Sequence, residues 1–146
     1  MINRELINPQ SIVIVGGSNN VQKPGGRLVR NLLDGKYKGD LYVVNAKETE
    51  VQGVKSYANV AEIPDTELAI ISIPGKACPE VVEVLAKQKN VRAFIIISAG
   101  FGEETVEGGI IENQLLDIIN EAGASFIGPN CIGVMNTNYH GVFTQP

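Results

Sequence analysis

At 146 residues the chain has room for one domain, spanning 1–146, and a fold of this size buries about two-thirds of the surface that the unfolded chain exposes. With 44% hydrophobic residues, 19% charged residues and no Trp it reads as a soluble globular protein; no apolar run approaches the ~20 residues of a bilayer span, and no charged-then-apolar leader opens the chain, so no membrane partner and a cytoplasmic setting are expected. The net charge of -4 hides an asymmetry, because residues 1–55 carry eight bases against five acids and the remainder four bases against eleven acids, a balance that suits a small phosphorylated ligand and no nucleic acid.

Residues Met1 to Gln10 form a lead-in punctuated by Asn8-Pro9, with one helical turn at most. Ser11 to Val15, SIVIV, is too short and too rich in Ile and Val for a helix and predicts a buried parallel strand. Gly16 and Gly17 then allow a sharp turn, and Gly25 and Gly26 fall where a helix over about 25–33 begins, with Leu28, Leu32 and Val29 inward and Asp34-Gly35 as its stop. Free amides and the helix dipole at such a start favour an anion. Lys23 and Arg27 sit against that dipole, which points to a negative ligand. The dinucleotide fingerprint G-x-G-x-x-G is not present, since the second glycine pair comes nine positions after the first, and a long surface loop with convenient glycines is the competing reading.

Leu41 to Val44 is the second predicted strand, leaving into Asn45-Ala46-Lys47. Val51 to Ile63 reads as a short extended piece, a turn at Gly53 and one helical turn near Val60. Leu68 to Ile73 is a strand ended by Pro74-Gly75, and Ala77 to Lys89 a helix whose buried side is Val81, Val82, Val84 and Leu85, with Pro79 tolerated in its first turn. Ala93 to Ile97 is the fourth strand and exits into Ser98-Ala99-Gly100-Phe101-Gly102. Glu107 to Ala122 follows as a helix with Ile110, Ile111, Leu115, Ile118 and Ile119 inward, then a strand from Ala124 to Ile127 that leaves into Gly128-Pro129-Asn130-Cys131. Ile132 to Pro146 is a tail of turns that allows an edge strand over Val142 to Thr144. The alternation predicts an α/β fold, a Rossmann-like doubly wound parallel sheet of about five strands with helices on both faces, whose strand-exit loops gather at one edge.

The order VIVGGS, KPGG, VVNAK, ISIP, IIISAGF and IGPNCIGVMN resembles the N-terminal coenzyme A-binding domain of the NDP-forming acyl-CoA synthetases, the superfamily of succinyl-CoA synthetase α-subunits, over nearly the whole chain. The resemblance implies a domain that binds coenzyme A and works with phosphohistidine and nucleotide-binding domains or subunits. It carries the binding role to Gly17, Ser18, Asn19, Asn20, Lys23, Gly25 and Gly26 of the first loop, to Asn45 and Lys47, to Ile73 and Pro74, to Ile97, Ser98 and Ala99, and to Asn130. Ala46 stands where the family carries a proline, and Asn19-Asn20 make the first loop unusually polar. Because the family's phosphorylated histidine lies in a following domain, the resemblance implies a chain that holds coenzyme A for thioester formation without catalysing it.

The residues themselves offer little chemistry. His140, the one histidine, has no acid evidently in reach and reads as an exposed or capping imidazole. Ser98 lacks a G-x-S-x-G elbow and reads as a ligand-binding hydroxyl or amide. Cys78 and Cys131 are too few for a disulfide framework and lack metal-ligand spacing, so both are expected as reduced thiols, Cys131 a small buried filler. Glu103, Glu104 and Glu107 suit a helix start without any catalytic task. Two other functions share this architecture: an NAD(P)-binding oxidoreductase domain and a free-standing CoA-sensing or redox-sensing module. An NAD domain usually ends its second strand in an acid, whereas here Lys47 stands there, with Glu48 one step on. A lysine suits the ribose phosphate that coenzyme A and NADP share, and between those two the resemblance favours coenzyme A.

Overall fold

A computed structural model of the chain describes residues 2–98, 105–129 and 131–144. Its centre is β1 (Ser11–Val15), all five residues buried, which pairs in parallel with β2 (Asp40–Val44) on one side and β5 (Leu68–Ile71) on the other. Outward from β5 lie β6 (Ala93–Ile96) and β7 (Ser125–Ile127), also parallel, and outward from β2 lie β4 (Val54–Tyr57) and β3 (Glu50–Val51), giving the order β3-β4-β2-β1-β5-β6-β7.

The strands read as unbroken apolar runs because both faces of the sheet are covered. Successive side chains point to opposite faces, so Ile12, Ile14, Leu68, Ile70, Ala93 and Ile95 share a cluster with Leu28, Val29 and Leu32 of α2 (Pro24–Asp34). Their neighbours Val13, Val15, Ala69, Ile71, Phe94 and Ile96 pack with Val82 and Leu85 of α3 (Cys78–Gln88) and with Leu115 and Ile119 of α4 (Val106–Glu121). The expected doubly wound α/β fold is the one formed.

Three expectations need correction. Among the described residues the sheet has seven strands, not about five. The extra pair is a hairpin, β3 (Glu50–Val51) antiparallel to β4 (Val54–Tyr57), and β4 adds to the sheet in parallel beside β2. VKSY is only partly buried, one strand in from the sheet's edge, so it lacks the continuous apolar run that marks the central strands. The tail is not an edge strand of this sheet: β8 (Gly133–Met135) and β9 (His140–Val142) form a separate antiparallel pair against the α2 side. Asn31 of α2 ties it down through Nδ2, which donates to the carbonyls of Val142 at 2.7 Å and Thr144 at 2.8 Å. The Tyr139 hydroxyl donates to the Leu6 carbonyl of α1 (Arg4–Ile7) at 2.6 Å. Finally, Ile110 is 57% exposed instead of inward, and Val81 and Val84 are only partly buried.

At the opposite end of the sheet the Arg4 guanidinium donates to both carboxylate oxygens of Glu67, at 3.0 and 2.7 Å, and Glu67 also accepts from the Gln10 amide at 2.8 Å. The paired guanidinium holds the Glu67 carboxyl below its ordinary range.

The connection from β1 to β2 runs through α2 on one face, and that from β5 to β6 through α3 on the other. The winding therefore reverses between the adjacent strands β1 and β5, and their C-terminal ends open a crevice there. Gly16 leaves β1 with φ of 91°, and a side chain on it would overlap the Ser72 carbonyl leaving β5, so the two loops meet only because this residue is glycine.

Candidate functional site

The crevice is a cleft of about 630 Å³. Its floor is Val15, Gly16, Gly17 and Ser18; one side is the β2 exit from Val44 to Lys47, and another is Ala58 to Val60, which starts a short 3-10 turn. Ser72 and Ile73 complete the floor, and α3 with the turn before it supplies Ala77, Glu80, Val81 and Val84 as the facing wall. Among the described residues, the two cations on this lining are Lys23 and Lys47, and the one carboxylate is Glu80.

The glycine loop is held by its own polar residues. Asn45 donates from Nδ2 to the Gly17 carbonyl at 2.9 Å and accepts at Oδ1 from the amides of Lys47 and Glu48, at 2.8 and 3.0 Å. Ser18 Oγ accepts the Asn20 amide at 3.0 Å, Asn20 Oδ1 accepts the Gln22 amide at 2.9 Å, and the Asn20 carbonyl accepts the Lys23 amide at 3.0 Å. α2 then starts on Pro24, and its bonding begins when the Arg27 amide reaches the Lys23 carbonyl at 3.0 Å. The amides of Gly25 and Gly26 precede that first bond.

Six sequence-predicted site residues line the cleft: Gly17, Ser18, Lys23, Asn45, Lys47 and Ile73. Asn19, Asn20, Gly25 and Gly26 stand behind it and build the loop. The two glycines do not adopt a positive φ; a side chain on Gly25 would overlap the Gly16 carbonyl, and one on Gly26 the Asn20 carbonyl, so they let the helix start pack on bare backbone. Pro74 is exposed ahead of the 3-10 turn Gly75–Ala77. Ile97 belongs to the core on the α2 side, and Ser98 Oγ accepts the Ile73 amide at 3.1 Å, fixing the β5 exit from below. Ala99 and Asn130 lie outside the described residues.

Sequence reasoning missed the cleft's far wall. The sequence predicts one buried stripe of Val81, Val82, Val84 and Leu85, but Val82 and Leu85 face the core while Val81 and Val84, three positions apart, face the cleft. The signal was an apolar arc wider than one packed face requires. Ala58 to Val60 carried no signal at all.

Cys78, Cys131 and His140 lie off the cleft lining. Burial pushes both the Cys78 and the Cys131 thiols up, away from the reactive thiolate. His140 packs beside Gly35, whose added side chain would meet Nδ1 at 2.6 Å. Among the described residues no group of three metal-ligating side chains exists, and no helix is long and apolar enough to cross a membrane.

Comparison with known proteins adds what geometry leaves open. The sequence model of the CoA binding domain matches residues 10–137. The chain belongs to that family. This CoA-binding domain is 43% identical over 133 residues to the α-subunit of the ADP-forming acetate–CoA ligase II of Pyrococcus furiosus, a match that covers 90% of the domain and 28% of the relative. It is 38% identical over 135 residues to the ADP-forming acetate–CoA ligase II of Archaeoglobus fulgidus, covering 92% of the domain and 20% of that protein. Its fold matches the crystal structure of PH0766 from Pyrococcus horikoshii with a TM-score of 0.89 at 40% identity, over 99% of the domain and 33% of that chain. The same TM-score, at 30% identity, holds for a dinucleotide-forming acetyl-coenzyme A synthetase 1 of Ca. Korarchaeum cryptofilum in complex with phosphate and ADP, over 97% of the domain and 31% of that chain. The chain is thus a CoA-binding domain related to the NDP-forming acyl-CoA synthetases, and it spans a third or less of the length of these relatives.

Proposed function

We propose that the cleft receives coenzyme A with its 3′-phosphate at Lys47, its diphosphate over the loop from Gly17 to Lys23, and its adenine between the apolar walls. The observation that carries this reading is the pairing of Lys23 and Lys47 on the lining of one cleft at the topological switch point. The volume lies within the range of ordinary ligand pockets and suits the nucleotide end of the ligand. An NAD-type site is disfavoured by the β2 exit, where Asn45 is committed to backbone partners and the next charged group is a cation.

The domain then serves as the thiol-binding part of an NDP-forming acyl-CoA synthetase in the cytoplasm, where its two free cysteines stay reduced. Phosphohistidine and nucleotide-binding domains or subunits supply the phosphoryl transfer, and the names of the curated relatives support an ADP-forming ligase. Given acetate, coenzyme A, ATP and Mg²⁺, the chain alone is expected to bind coenzyme A and to form no acetyl-CoA. Acetyl-CoA produced by this chain without a partner contradicts the assignment.

A further inference from the structure

Gln52 sits in the turn between β3 and β4 with φ of 49°, a left-handed conformation that glycine or asparagine adopts more readily. Its side chain crosses to the glycine loop: Nε2 donates to the Ser18 carbonyl at 2.9 Å and to the Gly26 carbonyl at 2.8 Å. Its backbone amide donates to Asn19 Oδ1 at 2.7 Å, and Asn19 Nδ2 donates back to the Glu50 carbonyl at 3.2 Å. The hairpin therefore grips the loop at its start, its first asparagine and its junction with α2. Gln52 Oε1 is buried without a partner among the described residues.

We infer that Gln52 is a positioning residue that aims the loop's amides at the anionic part of the ligand. A trans peptide is planar, so a carbonyl held in one direction turns the next residue's N–H the opposite way. With the Ser18 carbonyl drawn to Gln52 and the Gly17 carbonyl drawn to Asn45, the amides of Asn19 and Ser18 are turned away from those partners. Asn45 acts from the cleft side of the sheet and Gln52 from the edge hairpin, and the two together leave the Gly17–Asn19 backbone one orientation. Successive amides fixed in this way make a concave donor set for an anion.

The inference rests on the reading that the loop meets the diphosphate of coenzyme A. Two variants separate donation from folding. Gln52→Met keeps the length of the side chain and removes both donors; Gln52→Gly removes the donors and relieves the left-handed backbone. Calorimetric titration of the whole chain is expected to show coenzyme A weakened about tenfold in each, because the released loop must be ordered on binding. The Gln52→Gly variant should keep its thermal midpoint. In amide NMR spectra, coenzyme A should shift the Ser18 and Asn19 resonances of the wild type, and Gln52→Met should lose those shifts while retaining those of Ala58 to Val60. Unchanged affinity with retained Ser18 and Asn19 shifts overturns the inference, as does a proportional loss at both segments, which is the signature of mere structural support. A wild-type chain that does not bind coenzyme A overturns the functional reading itself, and that result is visible before any variant is made.

Discussion

Lys47 leaves β2 with its amide pinned to Asn45 Oδ1 at 2.8 Å and its side chain on the lining of the cleft. A charge-assisted hydrogen bond from its ammonium to the 3′-phosphate contributes about 1.5 kcal/mol at a wet cleft mouth, or roughly tenfold in affinity. Lys47→Ala is therefore expected to weaken coenzyme A by about that factor and to leave dephospho-CoA nearly unchanged. Titrating both proteins with both ligands isolates the coupling, and an equal loss for the two ligands contradicts it. A second residue, Glu67, governs pH rather than binding. Its carboxyl is held below the ordinary value of 4.5, so its pairing with Arg4 supports the fold fully above that value and is lost as pH falls through the lower folded-state pKa. The pair is solvent-exposed, so the effect is small: Glu67→Gln should lower the thermal midpoint by about 2 °C at pH 7, and the gap should narrow as pH falls below 4.5 and close once the carboxyl is protonated in the folded state. A gap that does not narrow at all as pH falls from 4.5 to full protonation of the carboxylates shows that the charge is not the cause. At this scale the two cleft lysines were legible, Lys23 because it stands in the glycine loop and Lys47 because it follows the exit of the second strand. Glu80 and Gln52 were not, because nothing in their neighbours tells where α3 and an edge hairpin bring them.

Among the elements, the start of α2 shows why glycine pairs are ambiguous in a sequence. Gly25 and Gly26 look like ligand-facing residues, yet each is buried against a loop carbonyl. Adding a methyl at Gly26 drives it into the Asn20 backbone, which cannot yield as a flexible side chain would. Gly26→Ala should cost about 1–3 kcal/mol of stability, read as a lower thermal midpoint in the absence of ligand. An unchanged midpoint would show that the loop relaxes freely. The same contrast explains which strands were legible. β1, β5 and β6 are covered on both faces and carry unbroken apolar runs, whereas β4, β8 and β9 are short, half exposed or glycine-containing. Their pairing depends on contacts distant in sequence, such as Asn31 with the carbonyls of Val142 and Thr144.

For the whole molecule, the doubly wound sheet brings four separated stretches, near residues 16–23, 44–47, 58–60 and 72–84, to one cleft at the reversal between β1 and β5. The architecture was legible from the alternation of elements, and the cleft's location followed from the winding rule. Its ligand did not, since the same sheet serves dinucleotides equally well; the lysine at the β2 exit and membership in the CoA binding domain family distinguish them. The most direct measurement is calorimetric titration of the chain with coenzyme A and with NAD at equal concentrations and one salt concentration. Saturable binding of coenzyme A with little heat from NAD is the expected result, and NAD binding at least as tight as coenzyme A contradicts the account.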